Sequence, residues 1–341
     1  MSRGKPIGRL FLVFAMFALF MAGCEKPMSN VLDPQGKTGK EQLHLINLSV
    51  YIMILVCVVV FAIFFYVLLR FRRKPGDNSI PKQVEGSLTL EILWIVIPVI
   101  LLVILAIPTV AVTFSQAKAA PKQQSDDFIR VKAIGHQFWW EFQYPDHNIR
   151  TAQELHIPVG KKVYVEVTSD DVVHAFWVPG LAGKVDASPG RINRVPIDAE
   201  KPGVYKGRCA ELCGASHALM NFQVVAEKSS DFDKWVKKRQ SPNSDPQTAE
   251  QKDGKKVFAQ NCMSCHAIDG TQLKMRGNKA PNLTGFSSRN KIAGLLDNNE
   301  KNLDRWLHNP EEVKPGTYMP GFSHLDKKDM TSLKAYLQSL E

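Results

Sequence analysis

Two cysteines, a histidine and a methionine crowd into one short stretch of this chain, Cys209-Ala210-Glu211-Leu212-Cys213-Gly214-Ala215-Ser216-His217-Ala218-Leu219-Met220, and His174 stands upstream at the end of a β-like run. Soft sulfur ligands with imidazole suit copper, and a Cys…His…Met loop with a distant histidine is the ligand set of a blue-copper site. A second cysteine is one thiolate more than a single copper needs. Two thiolates can bridge two copper ions, leaving one histidine for each. A structural zinc site draws on the same residue types. A disulfide would join the thiols but leave His174, His217 and Met220 without a purpose.

A second cluster, Cys262-Met263-Ser264-Cys265-His266, is C-x-x-C-H, the attachment pattern for covalently bound haem c. The thiols add to the haem vinyl groups and the adjacent histidine is placed as proximal iron ligand. A chain of this composition holds about 0.003 such matches by chance, which sets aside a redox or zinc pair. An electron-transfer haem takes a sixth ligand, commonly methionine, which raises its potential. Met330 falls in an amphipathic C-terminal segment, and Met275 is too close to His266 to reach the opposite haem face. Met319, in Pro315-Gly316-Thr317-Tyr318-Met319-Pro320, is far enough along to cross over and is the expected axial ligand. The segment Pro281-Asn282-Leu283 is expected to pack beside His266.

The elements that hold these clusters follow from the pattern of the 341 residues, a length that suggests two or three domains. Residues 1–23 have a basic start (Arg3, Lys5, Arg9), a short apolar core and small residues before Cys24, which reads as a signal peptide of lipoprotein type with Cys24 lipidated. Val50–Leu69 and Ile92–Val112 are uncharged runs long enough to cross a membrane, making residues 24–126 an N-terminal segment with a two-helix transmembrane hairpin. Arg70, Arg72, Arg73, Lys74 and Lys82 lie between the runs, so that loop is cytoplasmic and both the N-terminus and everything after residue 113 lie outside. Pro98 and Pro108 suggest a bent second helix packed on protein partners. Glu91 opens that span with Trp94 one turn on; it is either a functional acid or a carboxylate in the headgroup layer.

From 127 to 228, short strands such as Arg130–Ala133, Lys162–Thr168, Val172–Val178, Ile192–Ile197 and Phe222–Ala226 are broken by turn residues, which argues for an all-β Greek-key sandwich. The sulfur-rich loop precedes the last strand, at one end. Residues 229–250 are poor in apolar residues and read as a linker. Residues 251–341 read as an all-α domain with helices over Lys255–Asn261, Leu303–His308 and Lys327–Leu340. The net charge of +10 resides in the loop after the first span and in lysines over 228–256 and 274–334, a solvated surface that can face anionic lipid. The basic residues form no stripe interleaved with aromatics, so nucleic acid is not an expected partner.

These motifs together resemble subunit 2 of the haem–copper cytochrome c oxidases, and more narrowly its caa-type form with a fused C-terminal cytochrome c domain. The resemblance rests on Cys209-x-Glu211-x-Cys213-x-x-x-His217-x-x-Met220, His174, Gly135-His136-Gln137, Asp186-Ala187-Ser188-Pro189-Gly190-Arg191 and Leu90-Glu91-Ile92-Leu93-Trp94. It implies a cupredoxin fold for 127–228 and a class I cytochrome c fold for 251–341. It further implies a binuclear copper A centre bridged by Cys209 and Cys213, one copper completed by His174 and Met220, the other by His217 and the Glu211 carbonyl. The Glu211 carboxylate would bind magnesium shared with subunit 1, and Glu91 would stand at a proton-pathway entrance. Relatives carry tryptophan where this chain has Phe138, followed by Trp139 and Trp140. In them that tryptophan admits electrons from soluble cytochrome c. A tethered haem donor would explain the change, and an acceptable aromatic filler would explain it as well.

The expected function is that of an electron-input subunit of a proton-pumping terminal oxidase. Its expected partners are subunit 1, other oxidase subunits, a cytochrome c or bc-complex donor and the bacterial cell membrane. The alternatives are the copper-bearing subunit of a nitric oxide reductase and a free-standing membrane-anchored electron shuttle. The resemblance disfavours a quinol-oxidase subunit, since such subunits lack these copper ligands.

Overall fold

A computed structural model describes residues 30–73, 75–76, 80, 83, 85–118, 127–242, 245–269 and 280–341. The signal segment, Cys24, Lys74, Lys82 and Met275 lie outside them. Both uncharged runs form helices, since a lipid-facing backbone must satisfy its own hydrogen bonds. These are α1 (Lys37–Arg70) and α2 (Leu88–Gln116), each containing an 18-residue stretch of mean hydropathy 3.3 and 3.0 respectively. Pro98 and Pro108 lie inside α2. Helix α1 has 34 residues, about 51 Å at 1.5 Å per residue, well beyond an apolar layer about 30 Å thick.

The excess of α1 lies at its polar N-terminal end, where the β domain takes hold of it. The Asp198 carboxylate accepts hydrogen bonds from the Lys37 N–H (2.6 Å), the Thr38 N–H (3.1 Å) and the Thr38 hydroxyl (2.9 Å). It caps the helix from another domain and places negative charge at the positive end of the dipole. Gly36 permits the approach, because a Cβ there would sit 2.0 Å from the Asp198 carbonyl oxygen. Gln42 donates to Gln116 at 2.8 Å and Gln116 to Glu41 at 3.1 Å, joining the two helices at this end. The chain therefore enters α1 and leaves α2 on the side of the β domain.

The β domain contains β1 (Phe128–His136), β2 (Trp139–Tyr144), β3 (Ile149–Ala152), β4 (Glu154–Pro158), β5 (Lys162–Ser169), β6 (His174–Trp177), β7 (Val185–Ala187), β8 (Asn193–Ile197), β9 (Gly203–Cys209) and β10 (Asn221–Glu227). Among the described residues they form two five-stranded sheets, ordered β3-β2-β1-β5-β8 and β4-β10-β9-β6-β7. The pairs β1/β5 and β4/β10 are parallel and the others antiparallel. Strands β1, β5 and β10 alternate between buried and half-open positions, as their sequences foretell. Between the sheets, Phe176 and Phe222 stack with centroids 4.9 Å apart, and Trp140 meets them edge-on and tilted at 5.7 and 5.6 Å.

The segment expected to be a linker from residue 229 is a helix in its first half, α3 (Ser229–Gln240). Its apolar content is low, but Phe232, Trp235, Val236 and the stem of Arg239 fall at i, i+3, i+4 and i+7, one helical stripe. Phe232 and Val236 are buried in the sandwich core, and Trp235 stacks on His156 of β4 with centroids 4.5 Å apart. This cover explains why β4 is buried along its whole length instead of alternating.

The C-terminal domain begins with α4 (Ala249–Asn261), opened by a capping box between Thr248 and Gln251. A two-residue hairpin follows, β11 (Lys291–Ile292) with β12 (Leu296–Asp297), then α5 (Glu300–His308), α6 (Pro310–Val313) and α7 (Lys327–Leu337). Helices α4 and α7 meet at Gly254, where a Cβ would lie 1.9 Å from the Ser332 carbonyl oxygen. The domain rests on the sandwich: the Asn290 N–H donates to Glu154 of β4 at 2.6 Å, and Arg239 of α3 donates to Ser288 at 2.9 Å. Truncation of the stripe, Phe232→Ala, is expected to cost about 3 kcal/mol and lower the thermal midpoint by several degrees. Ser241→Ala, just beyond the helix, is expected to leave the midpoint unmoved in the same calorimetric scan.

Candidate metal centre and haem pocket

Strand β9 delivers Cys209 to the end of the sandwich, β6 delivers His174 beside it, and the loop before β10 brings back Cys213, His217 and Met220. The Sγ atoms of Cys209 and Cys213 are 3.9 Å apart. A disulfide is therefore excluded, since its sulfurs would lie about 2.05 Å apart. His174 Nδ1 is 3.8 Å from Cys209 Sγ, His217 Nδ1 is 3.7 Å from Cys213 Sγ, and Met220 Sδ is 3.8 Å from Cys213 Sγ. The Glu211 carbonyl oxygen lies 3.3 Å from Cys209 Sγ. All six groups singled out in the sequence thus converge on one small volume, and His174, Cys209, Cys213 and Met220 are buried.

The shell behind them fixes their roles. His174 turns Nε2 to the Asp171 carboxylate at 2.7 Å, which leaves Nδ1 facing the thiols. Burial alone would raise the Asp171 pKa and lower that of His174. Their mutual hydrogen bond wins at both, with the Gln137 and Val172 N–H groups also donating to Asp171. Burial likewise opposes ionising either thiol. At Cys209 the hydrogen bonds from His174 and from backbone groups prevail and bring the pKa down. At Cys213 burial is joined by the charge on Cys209, and the pKa is pushed up. The pair holds one negative charge readily and a second only beside a cation. Gly135 makes room for His174: a Cβ there would meet its ring at 2.7 Å. A thiolate pair with imidazoles and a thioether is a soft donor set that suits copper, and Cys209, Cys213, His174 and Met220 fit a copper A site.

In the C-terminal domain, His266 Nδ1–H donates to the Pro281 carbonyl at 2.7 Å, which leaves Nε2 as the ligating nitrogen. Burial lowers the His266 pKa and keeps the ring neutral, as an iron ligand requires. Met319 packs against the same apolar cluster that buries Cys262, while Met330 is a core residue of α7. Two buried guanidinium groups, Arg239 and Arg289, also lie in this region. Arg289 donates to the Asn282 carbonyl, and Arg239 to Ser288 and the Gly285 carbonyl. Arg289 Nε and Arg239 Nε and Nη1 have no hydrogen-bond partner among the described residues, and the Arg239 guanidinium lies over the Trp235 ring at 5.8 Å. Burial depresses both pKa values, that of Arg289 to about 10. Buried guanidinium groups that hold no carboxylate by a hydrogen bond among the described residues fit haem, whose propionates supply negative charge.

Several residues at these sites had escaped notice in the sequence. Asp171 carries the faint signal of lying one helical-type step before His174, and Gln137 lies inside a quoted motif without a role. Arg239 was hidden in the supposed linker. Phe138 is buried against Gly214 of the sulfur-rich loop, Trp139 stacks on His136 at 4.2 Å, and Trp140 belongs to the core. Glu91 lies apart from both centres, in the exposed first turn of α2.

A membrane hairpin under a sandwich with a dithiolate site, joined to a haem-binding domain, defines a membrane-anchored electron-transfer subunit. Family models agree: residues 33–112 match the transmembrane domain of cytochrome c oxidase subunit II, residues 147–227 its periplasmic domain, and residues 251–341 cytochrome c. Cytochrome c oxidase subunit 2 of Alkalihalophilus pseudofirmus is 44% identical over 97% of this chain and 96% of its own length. That of Bacillus sp. strain PS3 is 44% identical over 100% and 99%. Quinol oxidase subunit 2 of Bacillus cereus is 36% identical over 65% of this chain and 76% of its own length. The chain belongs to the cytochrome c oxidase subunit 2 family.

Loss of the carboxylate behind His174, Asp171→Ala, is expected to weaken copper retention about 10–100-fold against a competing chelator. Haem content should remain unchanged. Undiminished retention would remove Asp171 from the centre.

Proposed function

We propose that this chain is the electron-input subunit of a proton-pumping haem–copper terminal oxidase. It carries electrons from a cytochrome c or bc-complex donor through haem c and copper A to subunit 1, where oxygen is reduced to water. One observation carries the reading: the haem-binding domain lies directly on the dithiolate loop, with the Ser216 hydroxyl donating to the Pro315 carbonyl at 2.6 Å. When bound, the two-copper cluster and the haem each supply a site that gains and loses one electron.

The chain's own residues do the rest. Cys209, Cys213, His174, His217, Met220 and the Glu211 carbonyl would hold the two coppers. Burial of the cluster keeps water away, so little solvent has to reorganise when the charge there changes. Asp171 holds His174 in the ligating tautomer. Cys262 and Cys265 would carry the haem, with His266 and Met319 as axial ligands and Arg239 and Arg289 toward its acidic edge. The Glu211 carboxylate would hold magnesium at the boundary with subunit 1, and Glu91 would pass protons toward it. Cys24 would be the lipidated first residue after removal of residues 1–23. The N-terminus would lie outside with the two soluble domains, and the domain boundaries those of the sequence reading, with α3 assigned to the sandwich. The retained dithiolate cluster and C-x-x-C-H weigh against a quinol oxidase.

The test is purification from mild detergent. The expected preparation holds a large polytopic partner, two coppers with near-infrared mixed-valence absorption and one c-type haem per chain, and it consumes oxygen with reduced cytochrome c. Cys213→Ser should abolish the near-infrared band and leave the haem spectrum intact. Nitric oxide turnover without oxygen turnover, or isolation of the chain alone, would sink the proposal.

A further inference from the structure

Segment 315–318 of the haem-binding domain meets the sulfur-rich loop and the adjoining β1–β2 turn at three points. Ser216 donates to the Pro315 carbonyl, as above. Gly316, at φ +76°, lies over Phe138 and Ala215; a Cβ there would come within 3.3 Å of both. The third point is Tyr318, whose hydroxyl donates to Gln137 Oε1 at 3.3 Å.

Gln137 also reaches inward. Its Nε2 donates to the Cys213 carbonyl at 2.6 Å, and its main-chain N–H donates to Asp171 at 2.6 Å, the carboxylate that holds His174. A carbonyl only accepts, whereas a tyrosine hydroxyl can donate or accept, so the amide must turn nitrogen to Cys213 and oxygen to Tyr318. A single side chain thus links the residue next to Met319 with the backbone of a thiolate. A carboxylate of the same length would put oxygen against the Cys213 carbonyl and lose that link. Phe138, the next residue, is seated between Gly214 and Gly316 and fills the space alongside.

We infer that Gln137 is a positioning residue for electron transfer between the two domains. It fixes the Tyr318–Met319 segment over Cys213 and completes a hydrogen-bonded path from the haem side to the dithiolate. The inference rests on the function proposed above and adds to it the contact through which the tethered donor acts. It also accounts for a buried phenylalanine at position 138: with the donor docked and linked through Gln137, that side chain serves as a spacer.

The test uses the intact oxidase complex, with haem c photoreduced by a pulse and electron arrival followed in the near-infrared copper band. Gln137→Glu is expected to slow haem-to-copper transfer by about tenfold, the factor that corresponds to about 1.4 kcal/mol in a barrier. Tyr318→Phe should slow it several-fold, and the double variant should be no slower than Gln137→Glu, because both act on one linkage. In Tyr318→Phe the copper-to-haem ratio, near-infrared spectrum and both reduction potentials should stay at their original values, which a general loosening of the fold would not preserve. An unchanged rate in either variant with intact spectra, or additive losses in the double variant, overturns the inference. Should Gln137→Glu disturb the copper spectrum, Tyr318→Phe alone decides, since it touches no proposed copper ligand. Absence of the copper or haem band in the unaltered complex would instead count against the proposed function.

Discussion

Two thiols 3.9 Å apart in a buried loop resist ionising together, because burial and the charge of the first oppose the second, and a cation beside them removes that opposition. Much of the surrounding architecture follows from this constraint. His174 needs a carboxylate behind it to present the correct nitrogen, so Asp171 sits three residues earlier, kept charged by the hydrogen bond from His174 and by the N–H groups of Gln137 and Val172. Gly135 is small because the His174 ring passes against it. The loop itself is closed at both ends by β9 and β10, which pair from Arg208 with Asn221 onward and so bring Cys209 and Met220 together across the ladder.

The second theme is rigidity between parts that the chain connects only by single strands of backbone. Asp198 clamps the start of α1 to the sandwich, which sets the height of the metal site above the membrane. Helix α3 covers β4 and extends Arg239 into the haem-binding domain, where its guanidinium occupies the place a side chain at Gly285 would take. Lys314, at the same boundary, is buried and donates to the Ala293 carbonyl at 2.9 Å. Burial brings its pKa down to about 7, with the charge on Cys213 opposing this. A boundary that buries two arginines and a lysine is kept by its specific hydrogen bonds, since each cation would otherwise prefer water.

Much of the site was legible beforehand, because metal and haem ligands are encoded by residue type and short spacing. Cys209, Cys213, His217, Met220 and C-x-x-C-H needed no fold to be noticed. The spans were equally plain, since twenty uncharged residues have few alternatives. Strands β2 and β4 were harder: both are covered on two faces, so neither alternates. Helix α3 was missed because its stripe holds only three apolar residues and an arginine, too few to stand out by composition. Gln137, Arg239 and Lys314 carry no local signal, since each acts through a partner distant in the chain.

The sequence by itself determined which chemistry this chain supports, through soft donors at ligand spacing, a haem attachment motif and two stretches apolar enough to enter lipid. Those properties are local, and local chemistry survives in a linear string. Only the tertiary structure decided which groups face one another: His174 against Cys209 across 35 residues, Asp198 against the start of α1 across 160, and Tyr318 against Gln137 across 181. Such contacts depend on sheet order and domain docking, where packing and burial of the whole chain select the arrangement. No short segment contains that information.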